Sequence, residues 1–294
     1  MNPYPPISPA LSDPTKGLSA DNYRFLRDYI HLESGILLGE DKDYLLHNRL
    51  APILAQEKLD SLDELCRLLR GASKGKYRRH VVEAITTHET LFFRDMGVFE
   101  ALGKTILPEI GAHRKPARTI RIWSAACSSG QEPYSLAMLL LEHGFGNWDI
   151  QIVATDLSSK ILERARTGRF FQIEVNRGLP ASLLVKYFQR CEREWQIQES
   201  VRRMVSFVPF DLRDDMSVLG KFDIVLCRNV LIYFDVPSRK KILAGISQVL
   251  FPGGYLLMGS SETTFSLSGS YSRRCLDKAV FYQNAGVARA TSAS

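Results

Sequence analysis

Arg121–Ser135, RIWSAACSSGQEPYS, opens on an apolar run, crosses small polar residues and a single glycine, and reaches Pro133, which suits the first turn of a helix. A strand, a turn and a helix in this order form the unit that holds nucleotide-like cofactors in α/β proteins. A GxGxxG fingerprint needs several glycines so that pyrophosphate can approach the backbone near the helix dipole. Here Ser128 and Ser129 fill that space, Gly130 stands alone, and Glu132 puts a carboxylate at the helix start. That carboxylate repels a pyrophosphate and welcomes a positively charged cofactor, such as a sulfonium with an amino group, which favours S-adenosylmethionine over NAD. Glu132 can also simply complement the helix dipole.

The chain on either side extends this pattern. Strand-like apolar runs recur as TIRIWSA, IQIVATD, MVSFVPF, FDIVLCR and GYLLMGS, separated by helical stretches. The order predicts an α/β fold with a doubly wound, mostly parallel sheet. YSRRCL and AVFYQ, flanking Asp277 and Lys278, read as an antiparallel hairpin that finishes it. Between Phe170 and Phe207 there is more chain than a crossover needs. A helix and one or two short strands around Trp195 to Ile197 therefore make a small inserted β-subdomain, at about residues 172–206.

Before the sheet the period is helical. DNYRFLRDYIHLES puts Tyr23, Leu26, Tyr29 and Ile30 on one stripe, with Gly35 as the stop, and DYLLHNRLAPILAQ continues despite Pro52. SLDELCRLL opens with Ser61 and Glu64 at capping-box spacing, and YRRHVVEAIT is a fourth helix. The expected organisation is a flexible lead over 1–18, a helical domain over 19–93, the sheet domain over 94–284 and a flexible tail over 285–294.

At 294 residues, 45% hydrophobic and 24% charged, the chain can bury a sizeable core, which excludes wholesale disorder. Its strongest apolar run, LAMLLL, is far short of the ~18–20 residues of a membrane span, and the N-terminus lacks the blocks of a signal peptide. Five scattered cysteines without a CxxC pair predict a reducing, cytoplasmic setting and no metal. The net charge of +6 permits nucleic acid, anionic membrane or an acidic protein partner, so its distribution matters more. Arg67, Arg70, Lys74, Lys76, Arg78 and Arg79 follow without an acidic residue, which reads as a solvated face or as a docking surface.

Four further places bring polar groups to where a ligand would sit. Asp156 ends the second strand, where an acid can accept hydrogen bonds from both ribose hydroxyls; it or Ser158 can alternatively cap the next helix. The fourth strand runs into Arg228, Asn229 and Tyr233 at the sheet's carboxyl edge, with Asn229 suited to the cofactor's amino-acid part and Tyr233 to the substrate, unless Tyr233 only covers the core. Upstream, Thr90 and Arg94 stand four apart, one helical turn, so both can face one ligand. An arginine fork grips a carboxylate with two prongs, though Arg94 can equally pair with Asp95 or Glu89.

Taken in order, TTHETLFFR, WSAACSSGQEPYS, ATDLS, FDLRD, FDIVLCRNVLIYFD and GYLLMGSSET closely resemble the CheR family of chemotaxis receptor protein-glutamate methyltransferases, over roughly Ser19 to Gln283. The resemblance implies a class I methyltransferase fold and a cytoplasmic enzyme recruited to membrane-bound receptor arrays. It implies transfer of the methyl group of S-adenosylmethionine to glutamate carboxylates of chemoreceptors, leaving methyl esters and S-adenosylhomocysteine. It further implies cofactor contacts at His88, Thr90, Arg94, Glu132, Asp156, the pair Asp211 and Leu212, and the pair Asn229 and Val230. Arg94 and Tyr233 match the residues nearest the transferring methyl. His88 and Asp211 each stand where the family usually has asparagine, and Ser260 where histidine is frequent.

The family's helical domain contacts glutamate-rich receptor helices, so Lys42, Arg49 and Lys58 are the expected docking residues, with the basic run as an extension. Many relatives tether to a receptor C-terminal pentapeptide through a longer, glycine-rich loop. YFQRCEREWQIQ lacks it, which points to pentapeptide independence. Neither nucleic acid nor membrane insertion is expected, while a methyltransferase for RNA or a small molecule, and a cofactor-binding scaffold without catalysis, stay open as rivals.

Overall fold

Two units divide the chain between Thr87 and His88. The expected boundary, between 93 and 94, is displaced because Phe92 and Phe93 are buried in the core of the second unit and carry their neighbours with them. The computed structural model describes residues 18–39, 43–71, 74–262, 270–276 and 279–286. The lead up to residue 17, the tail beyond Gly286, Lys42, Asp277 and Lys278 lie outside the described residues.

The first unit holds helices α1 (Ala20–Ser34), α2 (Asp43–Glu57), α3 (Leu62–Arg70) and α4 (Lys74–Ile85). Their ends follow local chemistry. Ser19 Oγ accepts from Asn22 N–H, and Gly35, at φ 74°, closes α1 in the left-handed conformation that glycine adopts without penalty. Ser61 Oγ accepts from Glu64 N–H at 3.2 Å, but the Glu64 carboxylate takes the Asp60 N–H instead of that of Ser61. The predicted stripe is buried: Leu26 and Ile30 meet Leu46, Leu50, Leu65 and Val81. Three cations of the basic run are ion-paired, Arg67 with Glu64, Lys76 with Glu57 and Arg78 with Glu33.

In the second unit α5 (Met96–Ala101) and α6 (Leu107–Arg114) lead to β1 (Thr119–Ala125), α7 (Gln131–Glu142), β2 (Asp149–Asp156) and α8 (Ser159–Thr167). An insertion follows, made of β3 (Arg169–Phe171), α9 (Gln172–Val175), α10 (Ala181–Tyr187), β4 (Phe188–Cys191), β5 (Glu194–Ile197) and α11 (Glu199–Arg202). Then come β6 (Val205–Pro209), β7 (Phe222–Cys227), α12 (Val236–Val249), β8 (Leu250–Met258), β9 (Tyr271–Leu276) and β10 (Ala279–Asn284). The main sheet has the order β6-β2-β1-β7-β8-β10-β9, parallel from β6 to β8 and closed by the antiparallel hairpin. The inserted strands make a separate antiparallel sheet, β3-β5-β4.

Both faces of the main sheet are covered, which is why β7 is buried throughout and is apolar except for Asp223 near its start. Ile122, Ile224 and Leu257 face one core with Leu136 and Leu140 of α7. Trp123, Val225 and Leu256 face the other with Ile242 and Ile246 of α12. β1 lies between β2 and β7, so the direction of winding reverses there and the crevice opens at its carboxyl end.

Candidate active site

The loop after β1 is strained and tightly held. Ala126, Ser128 and Gly130 have φ of 60°, 52° and 96°. For the two non-glycine residues this costs on the order of 1–3 kcal/mol each. Hydrogen bonds hold it: Cys127 N–H donates to Thr155 O at 2.8 Å, Ser128 N–H to Asp156 Oδ2 at 2.9 Å, and Ser128 Oγ to His88 O at 2.9 Å. Glycine suits position 130 for its left-handed φ, and space is tight as well, since a Cβ there would lie 3.2 Å from both Ala165 Cβ and the Tyr134 ring.

Asp156 closes β2 nine-tenths buried. Its other oxygen accepts from Ser158 N–H at 3.0 Å, while Ser158 itself caps α8, which leaves the carboxylate for the crevice. Burial pushes the Asp156 carboxyl above its ordinary value, against the N–H donors of Ser158 and Ser128 and the neighbouring His88.

Glu132, in the first turn of α7, is not a bare charge. Its Oε1 accepts from Ser124 Oγ at 2.8 Å and its Oε2 from Arg228 at 3.0 Å. Arg228, with a side chain only 2% exposed, spans further to the Asp95 carboxylate at 2.7 Å and the Arg94 carbonyl at 2.8 Å. Its guanidinium thus ties the start of α7 to the backbone that carries Arg94. Arg228 is legible in the sequence as a group at the sheet edge, but not its partners, which lie about a hundred or more residues away in the chain.

Thr90 and Arg94 do not share a helical turn: α4 ends at Ile85, residues 87–91 are irregular and 92–95 form a turn with Phe93 and Asp95 left-handed. Asp95 goes to Arg228 and the Glu89 carboxylate to Arg177, so neither alternative partner takes Arg94. Arg94 is half-buried and reaches only the Glu89 carbonyl, at 3.4 Å; no carboxylate pairs with it among the described residues. Tyr233 sits in the short turn Leu231–Tyr233, also half-buried, and its hydroxyl has no partner among the described residues.

Asn229 is left-handed at φ 57°, and the N–H groups of Asn229, Val230 and Leu231 all point to the carboxylate of Glu262. Glu262 was not singled out in the sequence. The available signal was an acid two residues beyond the GS that ends β8.

The family described as "CheR methyltransferase, SAM binding domain" matches residues 88–279, and "CheR methyltransferase, all-alpha domain" matches residues 21–86. The chain is 41% identical over 274 residues to chemotaxis protein methyltransferase Cher2 of Pseudomonas putida, covering 90% of this chain and 99% of that one. It is 41% identical over 262 residues to chemotaxis protein methyltransferase 1 of Pseudomonas aeruginosa, covering 86% and 95%. It is 38% identical over 271 residues to the chemotaxis protein methyltransferase of Vibrio parahaemolyticus, covering 90% and 98%. The chain belongs to the CheR methyltransferase family. It is an S-adenosylmethionine-dependent methyltransferase of chemotaxis with the class I fold.

The site of this CheR-family chain fits that cofactor and not a dinucleotide. The N–H groups of Cys127, Ser128 and Gly130, which a pyrophosphate would require, are spent on Thr155 O, Asp156 and Cys127 O. Two carboxylates, Asp156 and Glu132, flank the same loop, suited to hydroxyl and ammonium donors. Asp211, by contrast, is turned onto Arg213, which binds both carboxylate oxygens at 2.7–3.1 Å, so its side chain is committed, and its carbonyl accepts from Asp214 N–H at 3.0 Å. In the helical unit Arg49 donates to the carbonyls of Ile85 and Thr86 and to Thr87 Oγ1, closing the end of α4, whereas Lys58 is exposed. Among the described residues no cluster of acids, histidines and cysteines could hold a metal, and no described helix is long and apolar enough to cross a membrane.

Proposed function

We propose that this chain methylates glutamate side-chain carboxylates of chemoreceptors. The observation that carries the reading is Arg94: a half-buried guanidinium without a carboxylate partner among the described residues, its backbone clamped by Arg228. A carboxylate is the natural occupant of such a fork.

The bound cofactor supplies a methyl group on a sulfonium; transfer makes one C–O bond and breaks one C–S bond, whose electron pair stays on sulfur. A glutamate is already ionised at neutral pH, so the site needs no general base. It needs alignment and exclusion of water. Arg94 and the Tyr233 hydroxyl hold the carboxylate, and Arg94 orients it without capping the attacking lone pair. Asp156 receives the ribose hydroxyls, Glu132 the amino group, and Asn229, Val230 and the backbone of Asp211 and Leu212 the rest, with His88 and Thr90 alongside. His88 contributes through its position beside Asp156.

The reading includes a cytoplasmic enzyme working at receptor arrays, docked through exposed cations of the helical unit such as Lys58. It includes independence from a receptor pentapeptide, supported by the short turn, Glu192 and Arg193, that joins β4 to β5.

Incubation with methyl-labelled cofactor and a panel of receptor-containing membranes should release base-labile methanol, the mark of a carboxyl ester. Label on nucleic acid instead, or tight cofactor binding with no transfer to any receptor, would overturn the proposal. Arg94→Ala should cut kcat about 100-fold or more while the chain stays folded; near-normal turnover removes Arg94 from the site.

A further inference from the structure

The end of β7 raises a question of hydrogen-bond donors. Just past Cys227 the chain turns through Asn229 at φ 57° and Val230 at φ −126° before the short turn Leu231–Tyr233. Asn229 and Val230 belong to neither strand nor helix and Leu231 only opens a short 3-10 turn, so the N–H groups of all three need another acceptor. All three converge on one side chain.

We infer that Glu262 is a positioning residue of the methyl-transfer site, whose carboxylate sets the backbone of Asn229, Val230 and Leu231. Its Oε2 accepts from Asn229 N–H and Gly259 N–H, both at 2.7 Å; its Oε1 accepts from Val230 N–H at 3.0 Å and Leu231 N–H at 2.7 Å. Four donors meet two oxygens, two to each, which only a carboxylate can accept in full. Backbone nests of this kind ordinarily capture an external anion. This one is filled from within, and β8 delivers the acid to it. Gly259 makes the approach possible: a Cβ there would lie 2.7 Å from Glu262 Oε2 and 3.0 Å from Asn229 N.

The consequence concerns the reaction. Asn229 and Val230 are the proposed cofactor contacts, and Tyr233, two residues after Leu231, is the proposed substrate contact. Glu262 touches only the backbone beneath them. Hydrogen bonds to a charged acceptor are stronger than those between neutral groups, so releasing this loop blurs both contacts together. The inference rests on the proposed role of Asn229 and Val230.

The test uses the full chain with Glu262→Ala and Glu262→Gln, following S-adenosylhomocysteine affinity, kcat and thermal unfolding. Both variants should bind the product at least about tenfold more weakly and lose kcat. Formate should restore much of the loss to Glu262→Ala, because the emptied nest accepts a small carboxylate, while chloride at equal ionic strength should not. Formate should do nothing for Glu262→Gln, whose amide NH2 faces the N–H donors and occupies the space. Folded variants with wild-type affinity and kcat, or an alanine variant that formate leaves unrestored, overturn the inference. If the alanine variant does not fold, near wild-type affinity in the glutamine variant overturns it alone. A wild-type chain that binds no S-adenosylhomocysteine would instead sink the cofactor-site reading.

Discussion

The two ends of the main sheet carry similar chemistry and use it differently. At the amino end Glu109 takes Arg274 with both oxygens, at 2.7 and 3.0 Å, and the Tyr255 hydroxyl at 2.6 Å. Beside them Asp223 takes Arg114 at 2.6 Å and the Arg121 N–H at 2.9 Å, around a pocket of ≈ 380 Å³. Charges, aromatics and concavity are all present, yet these charged groups are committed to one another. At the carboxyl end Arg228 and Glu132 are paired and Glu262 is held by backbone N–H groups, but Arg94 and Tyr233 have no side-chain partner among the described residues. A cavity alone therefore does not mark the site. Polar groups held in place from below and left unpaired above do.

Replacing one arginine at each end tests this most severely. Arg228→Met leaves the largely buried Glu132 carboxylate, 13% exposed, with only Ser124 Oγ and frees the Arg94 carbonyl. Breaking a buried pair costs about 3–5 kcal/mol; Asp95, well exposed, adds little. Unfolding in denaturant should register a loss near the lower figure, together with a clear fall in kcat. Arg114→Met strands Asp223, also buried, so a comparable loss of stability is expected, with kcat unchanged in the protein that remains folded. Equal effects of both variants on kcat would erase the distinction between the ends.

A smaller effect concerns pH. Burial raises the Asp156 carboxyl, so it takes up a proton at a higher pH than an exposed aspartate, whose ordinary value is about 3.9. In the proposed site the ribose hydroxyls donate to the ionised form. Cofactor affinity should therefore be full above the raised value and be lost as the pH falls through it. Isothermal titration with S-adenosylhomocysteine across that range measures it. Asp156→Asn should lower neutral-pH affinity about tenfold, the worth of one charge-assisted hydrogen bond, and flatten the acid step. A variant with the wild-type acid step would assign the titration to another group.

Much of the architecture was legible because it depends on neighbours in the chain. The change of period at Thr119, the stop at Gly35 and the hairpin near the C-terminus are local signals, and each appears where expected. Asp156, Asn229 and Tyr233 were placed because the end of a strand in a doubly wound sheet is itself a location. What could not be read depends on distant contacts. The boundary lies at Thr87 because Phe92 and Phe93 are buried in the core of the second unit, and the four-residue spacing of Thr90 and Arg94 misleads because no helix forms there. Arg49 looks like any surface cation until the end of α4 reaches it. Glu262 looks like any loop acid until four amides surround it.

The smallest expected effect belongs to the amino end and guards the comparison from the other side. Arg274, and next the Tyr255 hydroxyl, hold the Glu109 carboxyl below its ordinary range, against the opposing push of burial. A depressed carboxyl stabilises the fold above its unfolded value, and that contribution is lost as the pH falls through the folded one. Because the Glu109 side chain is 37% exposed, solvent screening limits the contribution to about 1 kcal/mol or less. Glu109→Gln should lower the melting temperature by roughly 2–4 °C at neutral pH, with the difference from wild type shrinking in acid. Product affinity and kcat should stay at wild-type levels. If either changes with the melting temperature intact, the amino end communicates with the site, and its paired charges are part of the reaction after all.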